Sequence, residues 1–173
     1  LFAREAFLPE HRGESFHLLA RREGERWEAK VAKSLSAIVF DNVFPTLGRA
    51  IVAADPDRPD ALTRAYLTEA REGALILLYR LLFVLYAEDR NLLPDEEGAY
   101  ADVCLTRMRR EIADKRRCNV RQSDSFRTYW PRLVSIFDAI ARGDDALGIP
   151  PYNGGLFATD AAPILRRVQL SDA

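Results

Sequence analysis

Between Ala74 and Ala87 the chain places fourteen residues that carry a single charge, Arg80. A helix built from them is apolar almost all the way round, and this predicts a central helix that other elements must wrap. The segment is shorter than the roughly 20 apolar residues that span a bilayer. Glu88-Asp89-Arg90 then marks its return to water. The simplest architecture is a soluble helical domain organised around this stretch.

With 173 residues the chain suits one domain and can bury a substantial core. Its 25 Lys+Arg against 26 Asp+Glu leave a net charge of −1, so no global field draws it to nucleic acid or to a membrane. Contact with DNA would need a local patch. Cys104 and Cys118, with only His11 and His17 as further soft ligands, match neither a disulfide framework nor a zinc site. They read as reduced thiols of a cytoplasmic protein. The chain opens on Leu1 without a charged and apolar leader, and looks like a piece of something longer.

Residues 1–16 form a mixed lead-in broken by Pro9 and Gly13, followed by a short helix expected to stop near Gly24. Trp27, Val31, Leu35, Ile38, Val39, Val43, Leu47 and Ile51 then recur at spacings of three and four, on one helical face that needs a partner. Pro45 predicts a kink or break near residues 41–45. Asp55-Pro56-Asp57-Arg58-Pro59-Asp60 is a connector, with Asp60 placed to cap the central helix over about residues 61–93. Its inward seam reads Leu62, Tyr66, Ala70, Gly73, Leu77, Leu81 and Leu85, and Pro94 and Gly98 close it.

A third helix carries Tyr100, Val103, Cys104, Met108 and Ile112, and a fourth carries Tyr129, Leu133, Ile136, Phe137 and Ile140. Ser123 to Ser125 supply cap candidates for that fourth helix, Pro131 is tolerable in its first turn, and Gly143 stops it. Residues 144–157 read as a loop, and Ala161 to Val168 as a short last helix. No stretch alternates with period two. The expected fold is all-α: an irregular bundle of about four or five main helices, one domain over residues 1–173.

Few residues suggest chemistry. Glu28-Ala29-Lys30 has the spelling of a metal-dependent nuclease motif, but it lies in a helical run with no upstream Asp on a strand. Ile149-Pro150-Pro151-Tyr152 resembles the Pro-Pro-aromatic loop of amino-methyltransferases, yet Ile149 can accept no bond from a target amine. It reads as a rigid loop, with Asn153-Gly154-Gly155 supplying freedom at φ. Arg107, Arg109, Arg110, Lys115, Arg116, Arg117 and Arg121 face only Glu111 and Asp114, a basic segment able to touch phosphates. Arg80 is expected to pair with a carboxylate such as Glu88 or one on a neighbouring helix, because an unpaired buried guanidinium is costly. No residue is assigned a catalytic, metal or cofactor role.

Three blocks together resemble a known family. They are Leu78-Tyr79-Arg80-Leu81-Leu82-Phe83-Val84-Leu85-Tyr86-Ala87-Glu88-Asp89-Arg90-Asn91-Leu92-Leu93-Pro94, then Gly148-Ile149-Pro150-Pro151-Tyr152-Asn153-Gly154-Gly155-Leu156-Phe157, then Leu170-Ser171-Asp172. The pattern is similar to the central helical region of fused type IIG restriction–modification enzymes and related phage-exclusion adenine methyltransferases. Arg4-Glu5-Ala6-Phe7, Gly13-Glu14-Ser15-Phe16 and Val43-Phe44-Pro45 fit the same pattern. The resemblance implies a helical connector, with a nuclease module upstream and an adenine-N6 methyltransferase downstream. S-adenosylmethionine and Mg2+ would belong to those modules, DNA would be the parent's partner, and none of the family's catalytic motifs matches a position here. A reading of another class is a free-standing helical adaptor that binds a protein.

Overall fold

The computed structural model describes residues 16–94, 98–121, 123–152 and 154–172. Its helices are α1 (Phe16–Ile38), α2 (Phe44–Ala54), α3 (Arg64–Asp89), α4 (Leu105–Arg117), α5 (Tyr129–Arg142) and α6 (Ile164–Arg167). A π-helical turn, Val39–Val43, joins α1 to α2, and a 3-10 turn, Gly155–Phe157, lies between α5 and α6. The fold is all-α. Among the described residues the one extended pairing is an antiparallel bridge between Asp144 and Ile149. The chain divides into two compact units, Leu1–Pro45 and Thr46–Ala173.

In the first unit α1 runs straight through Gly24, where a stop was expected. Glycine inside a helix costs about 1 kcal/mol relative to alanine. That is too little to end a helix whose surroundings favour it, and Gly24 does not take the left-handed backbone of a helix stop. Ion pairs one turn apart, Arg21–Glu25 and Arg26–Glu23, both at 2.9 Å, span the position. The disturbance expected from Pro45 takes the form of the π turn. The Phe44 amide bonds to the Val39 carbonyl, so the ladder widens by one residue just before the proline, which has no N–H to give.

Along this run Trp27, Ile38 and Val43 are exposed, as is the neighbouring Phe40, while Val39 and Leu47 are half-buried and Ile51 is fully buried. Val31 and Leu35 lie outside the described side chains. So do His17, Glu28 and, with the rest of residues 1–15, His11 and the lead-in blocks. One helical stretch, Ser36–Ala54, is long and apolar enough by length and composition to cross a membrane, with mean hydropathy 1.3 over its best window.

In the second unit Thr63, not Asp60, caps α3, its side chain accepting the Tyr66 amide at 3.2 Å. The helix ends at Asp89, before Pro94 and Gly98 can act. Asn91 takes φ 52°, and the Asn91 and Leu92 amides return to the Glu88 and Ala87 carbonyls at 3.0 and 2.8 Å. This is the Schellman closure, in which a left-handed Asn serves in place of Gly. Asn119 closes α4 in the same way, at φ 53°.

Tyr66, Ala70, Gly73, Ala74, Leu77, Leu78, Val84 and Ala87 form the buried stripe of α3, each large member worth roughly 1.5–3 kcal/mol of burial. They meet α4, the 3-10 turn and α6. The all-round burial expected of Ala74–Ala87 does not occur, since Tyr79, Leu82 and Tyr86 are 53%, 46% and 58% exposed. The packing elements reach only one side of the helix. Leu62, expected in the seam, is likewise exposed.

Candidate functional site

The first two blocks of the sequence signature are packing partners. Arg80 on α3 donates from Nε to the Leu156 carbonyl at 2.8 Å and from Nη2 to the Ala158 carbonyl at 3.0 Å. Phe83, one turn on, meets the Tyr152 ring edge-on at 5.9 Å and the Phe157 ring at 5.2 Å. The Tyr152 hydroxyl donates to the Leu92 carbonyl at 3.0 Å, and its amide to Ile140 O at 2.9 Å. Pro150, Pro151, Gly154 and Gly155 are exposed, and Asn153 lies outside the described residues. Tyr152 is therefore a buttress, its ring and hydroxyl both committed to the fold.

The carboxylate partner expected for Arg80 is replaced by those two carbonyls. Its guanidinium carbon also sits 5.6 Å from the Phe137 ring centroid and 5.7 Å from that of Phe157. Burial holds its pKa below the usual arginine value, with Asp138 only partly restoring it. Glu88 is spent elsewhere. Its Oε1 accepts from the Tyr100 hydroxyl at 2.7 Å and the Leu105 amide at 2.8 Å, and its Oε2 accepts from the Thr106 amide at 2.8 Å. A carboxylate from α3 thus satisfies the first amides of α4, where the helix dipole also favours it. The adjacent Cys104 sulfur accepts the Arg107 amide at 3.3 Å; neither Cys104 nor Cys118 is in a disulfide.

The third block works in the same manner. Asp172 Oδ1 accepts from the Thr128 amide at 2.7 Å and the Tyr129 amide at 3.2 Å, so it closes the start of α5 in place of the Ser123 to Ser125 candidates. Burial pushes its carboxyl up, but Thr128 and the Tyr129 amide outweigh this and hold it below the ordinary aspartate value. The connector also carries more than a turn. Asp55, 6% exposed, accepts from Arg167 Nε and Nη2 at 2.9 and 3.1 Å and from the Tyr66 hydroxyl at 3.0 Å. Arg167 reaches Glu69 as well, at 2.9 Å. This fork holds α6 to α3 and to the connector. Burial raises the Asp55 carboxyl, and Arg167 with the Asp57 amide and Tyr66 more than reverses it.

The basic segment divides. Arg107 pairs with Asp102 and, at 3.4 Å, with Glu111; Arg117 pairs with Asp114. The Lys115 ammonium stands over the Tyr129 ring, 5.0 Å from its centroid. Glu111 is bound to Arg132 at 2.8 Å. Arg109, Arg110, Arg116 and Arg121 are exposed and make no side-chain bond among the described residues. Arg109 and Arg116, seven residues apart, share one face of α4. Lys30 is exposed on α1, a helix, so Glu28-Ala29-Lys30 lacks the strand that a nuclease motif needs.

One feature the sequence did not announce is a cleft of about 760 Å3, lined by Arg80, α5 and the 157–169 segment. Arg142 and Arg166 share it with Asp138, Asp144 and Trp130. Arg142 is tied to Asp138 at 3.0 Å, while the exposed Arg166 side chain makes no bond among the described residues. The one hint in the sequence was Arg80, a lone charge in an apolar helix. Its partners lie 76 and 78 residues away, beyond the reach of local pattern.

These elements define an all-α protein whose signature residues cap helices and brace a loop. Comparison with known proteins finds no family model, no curated protein and no solved structure that matches this chain.

Proposed function

We propose that this chain is a non-catalytic helical spacer within a DNA restriction–modification or phage-defence protein, cytoplasmic, that positions a methyltransferase module and a nuclease module. The reading rests on the resemblance. What supports it is that the three blocks carrying that resemblance are spent on rigidity: Arg80 and Phe83 against residues 152–158, Glu88 on α4, Asp172 on α5. A spacer needs a fixed geometry between its ends, and buried polar clasps of this kind supply one. S-adenosylmethionine and Mg2+ would be bound by the flanking modules.

DNA backbone contact falls to Arg109, Arg110, Arg116 and Arg121, the members of the basic segment whose side chains make no bond among the described residues. Fluorescence anisotropy with a short labelled duplex tests it. Affinity should fall steeply as salt rises, and should drop further in an Arg109→Glu, Arg116→Glu double variant. No binding at low salt removes the DNA-contact part of the reading. The spacer reading itself fails if the reading frame stops just after Ala173.

A second reading, a helical adaptor that binds a protein partner, is favoured by the open stripe of Tyr79, Leu82 and Tyr86 on α3. Such a reading frame would leave it standing.

A further inference from the structure

We infer that the cleft over Arg80 binds a small organic anion through its carboxylate or phosphate group, independently of any spacer role. Arg80 is 9% exposed, and none of the described residues forms an ion pair with it. Its two carbonyl partners take Nε–H and one Nη2 hydrogen. Of the five donors of a guanidinium, three remain, including the end-on pair of Nη1 and Nη2 hydrogens that takes an oxyanion in bidentate fashion. Carbonyl dipoles and ring faces orient this cation, and Asp138, the carboxylate whose charge reaches it, is shared with Arg142, so three cations of the lining face two carboxylates. An anion in the cleft balances the charge left over.

The rest of the lining agrees. Arg142 and Arg166 bring two further cations against Asp138 and Asp144. Asp138 is already held by Arg142, and Asp144 Oδ1 accepts the Leu147 amide at 3.1 Å. Arg166 is the uncommitted cation at the site. About 760 Å3 suits a ligand of metabolite size.

Trp130 lines the cleft and Trp27, 70% exposed, is the chain's second tryptophan, so Trp27→Phe leaves Trp130 as the single reporter. In that background the full chain is titrated with inorganic phosphate and, separately, with succinate, at constant ionic strength. Trp130 emission and melting temperature are both followed. A saturable response, or a rise in melting temperature, is expected with at least one probe. Phosphate alone identifies a phosphate ligand, succinate alone a carboxylate, and both together a site for either group. Because Arg80 also holds the 156–158 segment, the test is carried by Arg166→Ala, which removes no side-chain bond among the described residues. It should weaken the response about tenfold, as loss of a charge-assisted bond does, while Arg71→Ala, exposed on α3 and outside the cleft lining, leaves it unchanged. The proposal is overturned if neither probe produces either signal by roughly 20 mM, well above a millimolar Kd. It is also overturned if Arg166→Ala binds as tightly as the parent.

Discussion

Helices α1 and α3 are nearly equal in length, 23 and 26 residues, and both carry apolar side chains at helical spacing. Their fates differ. Ten residues of α3 are buried, whereas Trp27 and Ile38 of α1 stand in the open. Periodicity makes a helix amphipathic, but burial requires elements that arrive from elsewhere in the chain. On α3 they arrive as α4, the 3-10 turn and α6, drawn in by Glu88, Arg80 and Arg167. The ion pairs Arg21–Glu25 and Arg26–Glu23 of α1 lie within that one helix.

The contrast can be broken most severely at Glu88. Glu88→Ala strips the Tyr100 hydroxyl and the Leu105 and Thr106 amides of their acceptor, and urea unfolding should show a loss of about 3–5 kcal/mol. A loss under 1 kcal/mol would mean that the clasp is incidental to α3 packing. Gly73→Ala should cost less, about 1–3 kcal/mol, because its new Cβ would meet the buried Ile164 Cγ2 at 2.4 Å. Unchanged stability there would show that α6 does not press on α3.

A smaller effect should come with pH. Asp55 and Asp172 are held below the ordinary aspartate value of 3.8, so their contributions are present above that pH and are lost as acid protonates the folded carboxyls. Asp55→Asn should therefore flatten the fall in melting temperature below about pH 4; an unaltered acid limb would place the acid sensitivity elsewhere. The smallest effect belongs to α1. Trp27→Ala should change unfolding stability by less than about 0.5 kcal/mol, as surface substitutions do. A loss above 1 kcal/mol would reveal a partner for the open face and erase the contrast.

Much of the helical layout was legible. The 55–60 connector, the Gly143 stop at φ 80° and the disturbance ahead of Pro45 follow from backbone chemistry that each residue carries with it. The Gly143 helix end was legible, but the local caps Thr63 and Asn91 were missed, as were ends where a side chain arrives from far away. Asp172 closes α5 across 44 residues, and Glu88 closes α4 across 17. Gly24 and Asp60 failed for a different reason, since a residue able to stop or cap a helix does so only when its neighbours do not offer better.

The site was less legible still. Arg80 stood out as a charge among apolar residues, but an acid was the expected partner because carboxylates are visible in sequence and backbone carbonyls are not. The cleft it lines is made by α5 and residues 157–169, and no local pattern encodes such a space.

By itself the sequence determined the helical class, the apolar identity of α3, the 55–60 connector and the Gly143 stop, because propensity and periodicity act over a few residues. Tertiary structure decided which face of α3 is covered, that Glu88 and Asp172 serve as caps, and that Arg80 opens onto a cleft. Those outcomes depend on contacts between residues far apart in the chain, whose free energy appears only once the helices are packed.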